Sequence, residues 1–205
     1  AYTAGDGEEA QRRLAAYRDL AARTAQVAQR IPADRQDAFL ELVSYPVNAA
    51  ALLNERILDL DLAQLYAREG RASANSYVAR ARAAHAQLLD WTRRYNDLKG
   101  GKWRHMMDMA PRRLPVFDTP VWPSWTPGTS SGCDVSYRGR WFDDENTLVF
   151  VKGRPQTRVV TLFAYRPVND AWKLASKPSS LATDMTSGVL DQGNGFERRI
   201  AITYD

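Results

Sequence analysis

The stretch that decides how this chain is organised reads Gly100-Gly101-Lys102-Trp103-Arg104-His105-Met106-Met107-Asp108. It follows a long segment with helical periodicity, and a glycine at such a position commonly ends a helix. An ordinary linker would continue with small polar residues, whereas this one continues with a cation, a tryptophan, a histidine and two methionines. We therefore expect an ordered turn whose apolar side chains pack against another part of the protein.

The residues before this turn carry three apolar stripes with helical spacing. The first stripe spans residues 8–31, the second spans 34–70 with Pro46 as a kink or restart point, and the third spans 73–98. Three such stripes shield one another from water only when the helices pack side by side. The sequence therefore predicts an antiparallel three-helix bundle for residues 1–110.

The composition changes after the turn. Residues 111–132 are rich in proline and tryptophan, which favours an extended connector. Strand signals follow at 147–151, 158–165, 171–176 and 197–204, separated by short turn sequences. Short strands at this spacing are typical of an immunoglobulin-like β-sandwich, which we predict for residues 133–205. The fold class is accordingly α+β with two domains.

Composition and charge exclude several classes of protein. The chain has 205 residues and a net charge of +4, but its basic residues alternate with acidic ones instead of forming the basic face of a nucleic-acid-binding protein. No apolar run reaches the roughly 20 residues that a membrane span needs. Cys133 is the single cysteine and has no partner at metal-binding spacing, so the sequence predicts no metal and no cofactor.

Further motifs accompany the Gly100 turn. They are Tyr45-Pro46-Val47-Asn48-Ala49-Ala50-Ala51-Leu52-Leu53-Asn54-Glu55, Gly70-Arg71-Ala72-Ser73-Ala74-Asn75 and Leu114-Pro115-Val116-Phe117. In order and spacing they resemble the helical part of the C-terminal half of glycoside hydrolase family 115. The later segment with Trp172, Ser187-Gly188 and residues 196–202 resembles the first part of the sandwich that follows it.

This resemblance implies an α-glucuronidase that removes glucuronic acid or its 4-O-methyl ether from xylan. The family's catalytic carboxylates lie on an upstream domain, so the chain is expected to be a non-catalytic scaffold or cleft wall. The implied partners are glucuronoxylan or a related acidic polysaccharide and the upstream catalytic domain, and a homodimer is compatible. A polymeric substrate outside the cell implies a periplasmic or secreted location. The alternative function is a stand-alone carbohydrate-binding module for acidic plant polysaccharide.

The residues themselves offer no catalytic pair. Inverting glycoside hydrolysis needs two carboxyl groups about 6.5 to 9.5 Å apart across a cleft. Asp59 and Asp61 are two positions apart on a predicted helix and therefore point in different directions. His85 lies within the third helix and is expected to be a surface or interface histidine. We predict no catalytic residue in this chain.

Six residues are candidates for binding substrate. Lys102, Trp103, His105 and Asp108 together supply a cation, a sugar-stacking surface and an acceptor, which are the groups that hold a uronic acid. The alternative is that this turn plugs the end of the bundle. Trp122 and Trp125 on the connector offer rings that stack on pyranose faces, or they fasten the connector to a domain.

Overall fold

The structure is a computed structural model, and it describes residues 9–108, 118–127, 130, 132–137, 140–141 and 147–204. Helices come first along the chain and antiparallel strands follow, so the predicted α+β class is confirmed. Two compact units are present. We call Ala10–Asp61 with the described part of Val78–Pro123 the helical unit, and Leu62–Tyr77 with the described part of Ser124–Asp205 the strand unit.

Five α-helices form between Glu9 and Gly101, and their bounds follow the apolar stripes closely. They are α1 Glu9–Ala28, α2 Gln36–Phe39, α3 Tyr45–Arg68, α4 Ala74–Asn96 and α5 Leu98–Gly101. A 3-10 turn at Ala33–Arg35 precedes α2, and a π-helical turn at Leu40–Ser44 joins α2 to α3. Pro46 lies in the first turn of α3, directly after the π-helical turn, in which the Tyr45 N–H donates to the Leu40 carbonyl. Because proline has no N–H and its ring crowds the preceding turn, the wider π-helical turn falls where the sequence predicts a kink or restart.

Apolar side chains from the long helices form the core of the helical unit. Ala10 and Leu14 of α1 are buried with Leu58 of α3. Leu52 of α3 is buried with Ala84 and Leu88 of α4 in a second cluster. Leu14, Ala84 and Leu88 are members of the predicted stripes.

In α3 the buried residues Leu52 and Leu58 lie next to Leu53 and Ile57, which the three- and four-residue spacing predicts to be buried, and Ile57 is 36% exposed. The predicted stripe of this helix is therefore wrong by one position, because apolar residues occur on several of its faces. The antiparallel arrangement of three helices stays a prediction.

Among the residues that the structure describes, seven strands form two antiparallel sheets in the strand unit. They are β1 Cys133–Tyr137, β2 Arg140–Trp141, β3 Gln156–Ala164, β4 Asp170–Lys173, β5 Leu181–Thr183, β6 Ser187–Leu190 and β7 Glu197–Tyr204. The first sheet has the strand order β2-β1-β3-β7-β5, and β4 pairs with β6 in the second. Three of the predicted strands correspond to β3, β4 and β7, whereas β1, β2, β5 and β6 were not predicted.

The strand predicted at 147–151 is wrong. These residues belong to neither sheet, and the side chains of Val149 and Val151 are exposed, at 66% and 57%. The segment is rich in β-branched residues, but strand propensity depends on a partner strand and a face to bury. The compact units are not continuous along the chain, because Leu62–Tyr77 belongs to the strand unit although it lies between two parts of the helical unit. The domain limits predicted at residues 110 and 132 stay predictions.

The turn between α3 and α4 is built into the strand unit. Gly70 ends α3 in the left-handed conformation with φ +70°, which suits glycine because it has no Cβ. Two residues later, the Ala72 amide donates to the Ala164 carbonyl of β3 at 2.9 Å. Ala72 is also buried in an apolar cluster, whose other buried members are Leu162, Ala164, Leu190 and Phe196. The cluster therefore joins the interhelical turn to the strands.

Candidate functional site

The turn with most of the predicted binding residues has a special backbone. Lys99, Gly100 and Gly101 have φ values of +52°, +69° and +87°, and His105 follows with φ +69°. A residue other than glycine in the left-handed region costs of order 1 kcal/mol, and such residues cluster at functional sites. The side chains of Lys102 and His105, which follow these left-handed residues, are exposed.

His105 is held by an acidic partner. Its Nδ1 lies 2.6 Å from Oδ2 of Asp108, while the Asn96 amide donates to the other Asp108 oxygen at 2.5 Å. The hydrogen bond from His105 lowers the pKa of Asp108, against the effect of desolvation and with help from the Asn96 hydrogen bond. The carboxylate therefore fixes the imidazole by one nitrogen. The His105 side chain remains 73% exposed, and Nε2 makes no hydrogen bond within the described residues.

The Trp103 side chain lies partly in the core of the helical unit and is partly exposed in the turn. The side chain is partly buried and, with Met107, packs against the buried cluster of Tyr45, Tyr95 and Leu98. The Lys102 ammonium lies 4.6 Å from the centroid of the Trp103 ring, within cation–π range. Packing of the turn against the apolar core of the helical unit thus explains the positions of Trp103 and Met107. It does not account for Met106, which is 53% exposed, or for the exposed side chains of Lys102 and His105.

The connector tryptophans lie in different compact units. Trp122, in the helical unit, has its ring centroid 5.6 Å from that of His85, and the Arg82 guanidinium lies 5.7 Å from the Trp122 ring. Trp125, in the strand unit, is held through its backbone by Asn75. The Asn75 amide donates to the Trp125 carbonyl at 2.8 Å and accepts from its N–H at 3.0 Å. The ring contact of Trp122 and the backbone hydrogen bonds of Trp125 each hold the connector to the unit in which that tryptophan lies.

His85 is an interior histidine with a basic neighbour. Nη1 of Arg56 lies 3.3 Å from His85 Nδ1, and the two residues are 3% and 9% exposed. Burial lowers the pKa of His85, and the charge of Arg56 lowers it further. A neutral imidazole accepts from Arg56 at Nδ1, which leaves the proton on Nε2. The predicted role as an interface residue therefore fits its contacts better than a role in proton transfer.

Of the two carboxylates weighed as catalytic candidates, Asp59 is buried in an ion pair and Asp61 is exposed. Asp59 is fully buried, and Arg80 donates to both of its oxygens at 3.1 Å. Burial raises the pKa of Asp59, and the hydrogen bonds from Arg80 oppose this effect. Burial also raises the pKa of Asp61. Within the described residues, no group of three or more His, Cys, Asp or Glu side chains is arranged to hold a metal ion.

The helices of the described segments include none whose length and apolar character would let it cross a membrane.

A buried polar cluster in the strand unit was not predicted. The Arg71 guanidinium is sandwiched between two rings, 3.8 Å from the centroid of Phe163 and 4.4 Å from that of Tyr66. Its Nε lies 2.5 Å from Glu69 Oε2, although the two groups are not aligned as a hydrogen bond. Arg71 stands in the Gly70-Arg71 motif of the sequence, but a single arginine after a helix gives no signal that it is buried.

Two tyrosines extend this cluster to the last strand. Tyr66 and Tyr77 meet edge to face at 5.0 Å between ring centroids. The Tyr77 hydroxyl donates to Glu197 Oε1 at 2.5 Å. Burial, with the nearby Glu197 charge as the next largest cause, raises the pKa of Tyr66 to about 12. The cluster is therefore a set of structural contacts that fasten the helix ends to β3 and β7.

Comparison with solved structures gives a structural likeness to a larger protein. No family model matches the sequence, and no curated protein sequence matches it. A solved structure of a family GH115 4-O-methyl-alpha-glucuronidase with specificity for decorated arabinogalactans is similar over 98% of this chain, with 20% sequence identity and a TM-score of 0.49. The match covers 32% of that protein, so this chain spans about a third of its length.

Proposed function

We propose that this chain is a non-catalytic part of an α-glucuronidase similar to glycoside hydrolase family 115, and that it forms a wall of the substrate cleft. In this proposal residues 1–110 form an antiparallel three-helix bundle and residues 133–205 an immunoglobulin-like sandwich, joined by 111–132. An upstream catalytic domain supplies the two carboxyl groups. The sequence motifs around Pro46, Gly70 and Gly100 are the first support for it.

The observation that carries the proposal is the exposed cationic turn at residues 102–108. Lys102 presents an ammonium donor on the surface, and Asp108 with Asn96 fixes the His105 imidazole through Nδ1 before any ligand arrives, which leaves Nε2 exposed as a hydrogen-bond acceptor in the neutral ring. A uronic acid carries a carboxylate on a sugar ring, so the Lys102 ammonium suits the carboxylate and Nε2 of His105 suits a hydroxyl group of the sugar. The part of Trp103 that is not packed into the core offers the ring a stacking surface. Preorganisation of this kind lowers the entropic cost of binding.

The substrate of the whole protein is then (4-O-methyl)glucuronic acid on xylan or on a related acidic polysaccharide. Such a polymer lies outside the cell, so a periplasmic or secreted location belongs to the same proposal. A homodimer would be compatible with it and is not needed for the turn to bind. The connector tryptophans are assigned a fastening role, because the Trp122 ring contacts His85 and the Trp125 backbone is held by Asn75.

Calorimetric titration with a glucuronic acid-substituted xylooligosaccharide tests the proposal. The unsubstituted oligosaccharide of the same length serves as the matched ligand and is expected to give no heat. Lys102→Ala should weaken binding by about fivefold or more, since a charge-assisted hydrogen bond is worth about 1.5 to 3 kcal/mol before solvent screening. Lys152→Ala, which removes an exposed lysine from the strand unit, should leave affinity unchanged.

Two results would overturn the proposal. Equal binding of the substituted and unsubstituted oligosaccharides would show that the uronic acid is not recognised. Release of uronic acid from glucuronoxylan by the purified 205-residue chain would show that it is itself catalytic. Tight binding that depends on Trp122 and Trp125, and not on Lys102, would favour the stand-alone binding module instead.

A further inference from the structure

The loop between β6 and β7 contains the one Asn-Gly pair of the sequence. β6 ends at Leu190 and β7 begins at Glu197, and a 3-10 turn at Gln192–Asn194 lies between them. Asn194 is followed by Gly195, whereas every other asparagine of the chain is followed by a residue with a side chain. We call residues 191–196 the β6–β7 loop.

An Asn-Gly pair is the dipeptide at which asparagine most readily loses its side-chain amide. The backbone nitrogen of the glycine attacks Cγ of the asparagine, and a bond forms between these two atoms. The bond from Cγ to Nδ2 breaks, and ammonia leaves with the proton of the glycine N–H. Water then opens the succinimide ring to give aspartate or isoaspartate. Glycine favours the attack because it has no Cβ to hinder the nitrogen.

The folded loop engages both reacting groups in other contacts. The Asn194 amide donates from Nδ2 to the Val189 carbonyl at 2.7 Å, and its Oδ1 accepts from the Asp191 N–H at 3.0 Å. The Gly195 N–H donates to the Gln192 carbonyl at 3.2 Å. The side-chain amide therefore cannot turn its carbon toward the Gly195 nitrogen while these hydrogen bonds are made.

Asp191 and the packing of the loop keep it closed. Oδ1 of Asp191 accepts from the Asn194 N–H at 3.0 Å, and the Asp191 carbonyl accepts from the Phe196 N–H at 2.8 Å. Phe196 is buried in the apolar cluster of the strand unit. Gly195 has φ +67°, and a Cβ atom on it would lie 3.2 Å from Cβ of Ser76. The loop thus favours glycine at residue 195 for both its conformation and its packing.

We propose that Asn194 is a deamidation site that the closed β6–β7 loop protects, so that its conversion reports opening of the loop and then hinders reclosure. A carboxylate at residue 194 has no N–H to donate to the Val189 carbonyl. It also places a negative charge across the capping box from the Asp191 carboxylate, where like charges repel. The modified chain therefore loses part of the hydrogen bonding that closes the loop.

The experiment measures deamidation of the full chain by mass spectrometry of peptic peptides during incubation at mildly alkaline pH. The same chain unfolded in urea is the reference, in which the Asn-Gly pair reacts freely. Conversion of Asn194 should be at least about tenfold slower in the folded chain, because a protected group reacts in proportion to the population of its open form.

Two variants test whether the loop itself provides the protection. Asp191→Ala removes the side-chain acceptor of the Asn194 N–H and should speed conversion in the folded chain by about fivefold, since one hydrogen bond no longer opposes opening. Asp184→Ala is the matched control, because Oδ1 of Asp184 accepts from the Ala201 N–H of β7 at 2.9 Å and not from the loop. It should change the rate by less than about twofold.

A third variant tests the consequence of the modification. Asn194→Asp reproduces one product, and it should speed hydrogen exchange of the Phe196 amide by about threefold or more, since the hydrogen bond to Val189 is lost. Asp191→Asn in that background removes the second charge and keeps the acceptor, so it should restore part of the protection.

Three outcomes would overturn the proposal. The first is conversion of Asn194 that is as fast in the folded chain as in urea. The second is equal acceleration by Asp191→Ala and Asp184→Ala, which would mean that Asn194 reacts only when the whole strand unit opens. The third is an Asn194→Asp chain in which the Phe196 amide exchanges at the rate of the wild type.

Discussion

Replacement of Arg71 by methionine should be among the most damaging single changes in the strand unit. The Arg71 side chain is 1% exposed, stacks on two aromatic rings and pairs with Glu69. Removing one member of a buried ion pair costs about 3 to 5 kcal/mol, because the other charge is left unpaired. Glu69 keeps 18% of its side chain exposed, which lowers this penalty, while the loss of two cation–π contacts raises it. We expect a loss of about 3 kcal/mol.

The chain has two compact units, which need not unfold in a single step. The free energy of unfolding must therefore be measured for the strand unit alone. Hydrogen exchange of the β3 and β7 amides under native conditions gives that local value. Arg158→Met is the matched control, because Arg158 also lies over a ring, that of Phe150 at 5.6 Å, but is only partly buried. It should cost less than about 1 kcal/mol.

A double-mutant cycle tests the reason for the loss. Glu69→Gln in the Arg71→Met background should cost much less than in the wild type, because the unpaired charge has already been created and the second change removes it. Additive effects of the two changes would refute the ion-pair part of the reasoning. A loss below about 1 kcal/mol for Arg71→Met would refute the whole of it.

Three further predictions concern the connector, the helical unit and the turn. Asn75→Ala should destabilise the segment around Trp125 by about 1 to 3 kcal/mol, seen as faster proteolysis there, with Asn75→Asp intermediate because it keeps the acceptor. Because the pKa of His85 is lowered in the folded protein, stability should fall as the pH drops below about 6.5, and His85→Gln should flatten that dependence in urea titrations. The pKa of Asp108 is also lowered in the folded protein, so its stabilising effect should be present above about pH 4 and be lost as the pH falls through the folded value. Asp108→Asn should remove this acid dependence in NMR titrations of the turn.

The positions of the long helices could be predicted from the sequence, because apolar residues at three- and four-residue spacing come together on one face when the chain is helical and not when it is extended. The buried face of α3 could not, since apolar residues lie on several of its faces and the buried Leu58 stands beside the exposed Ile57. The bounds of α4 differ from the predicted 73–98 by two residues or fewer at each end. The last strand, β7, was predicted at its observed bounds, since Ile200, Ile202 and Tyr204 alternate with residues of the other face.

Short or weakly patterned strands could not be predicted. β5 has three residues and β6 begins with Ser187-Gly188, so neither shows the alternation of a strand in its own sequence. Their pairing is set by distant residues, as in the register of Leu181 with Tyr204. Conversely, the residues at 147–151 have strand propensity but no strand partner among the described residues. Propensity alone does not determine pairing.

The candidate turn could be found from its residue types, but the division of roles within it could not. The sequence places a cation, a ring, a histidine and an acid together, whereas packing decides that Trp103 is partly committed to the core. The link from Asp108 to both His105 and Asn96 joins the turn to the end of α4. The left-handed conformation of the two glycines could be expected from their residue type, whereas that of Lys99 and His105 could not.

The most direct test of the uronate-binding turn is an NMR titration of the 205-residue chain with the glucuronic acid-substituted xylooligosaccharide. Our account predicts that the imidazole signals of His105 and the backbone amides of residues 102–108 shift in a saturable way, and that the unsubstituted oligosaccharide leaves them in place. Signals of this turn that do not move, while those of other residues do, would contradict it.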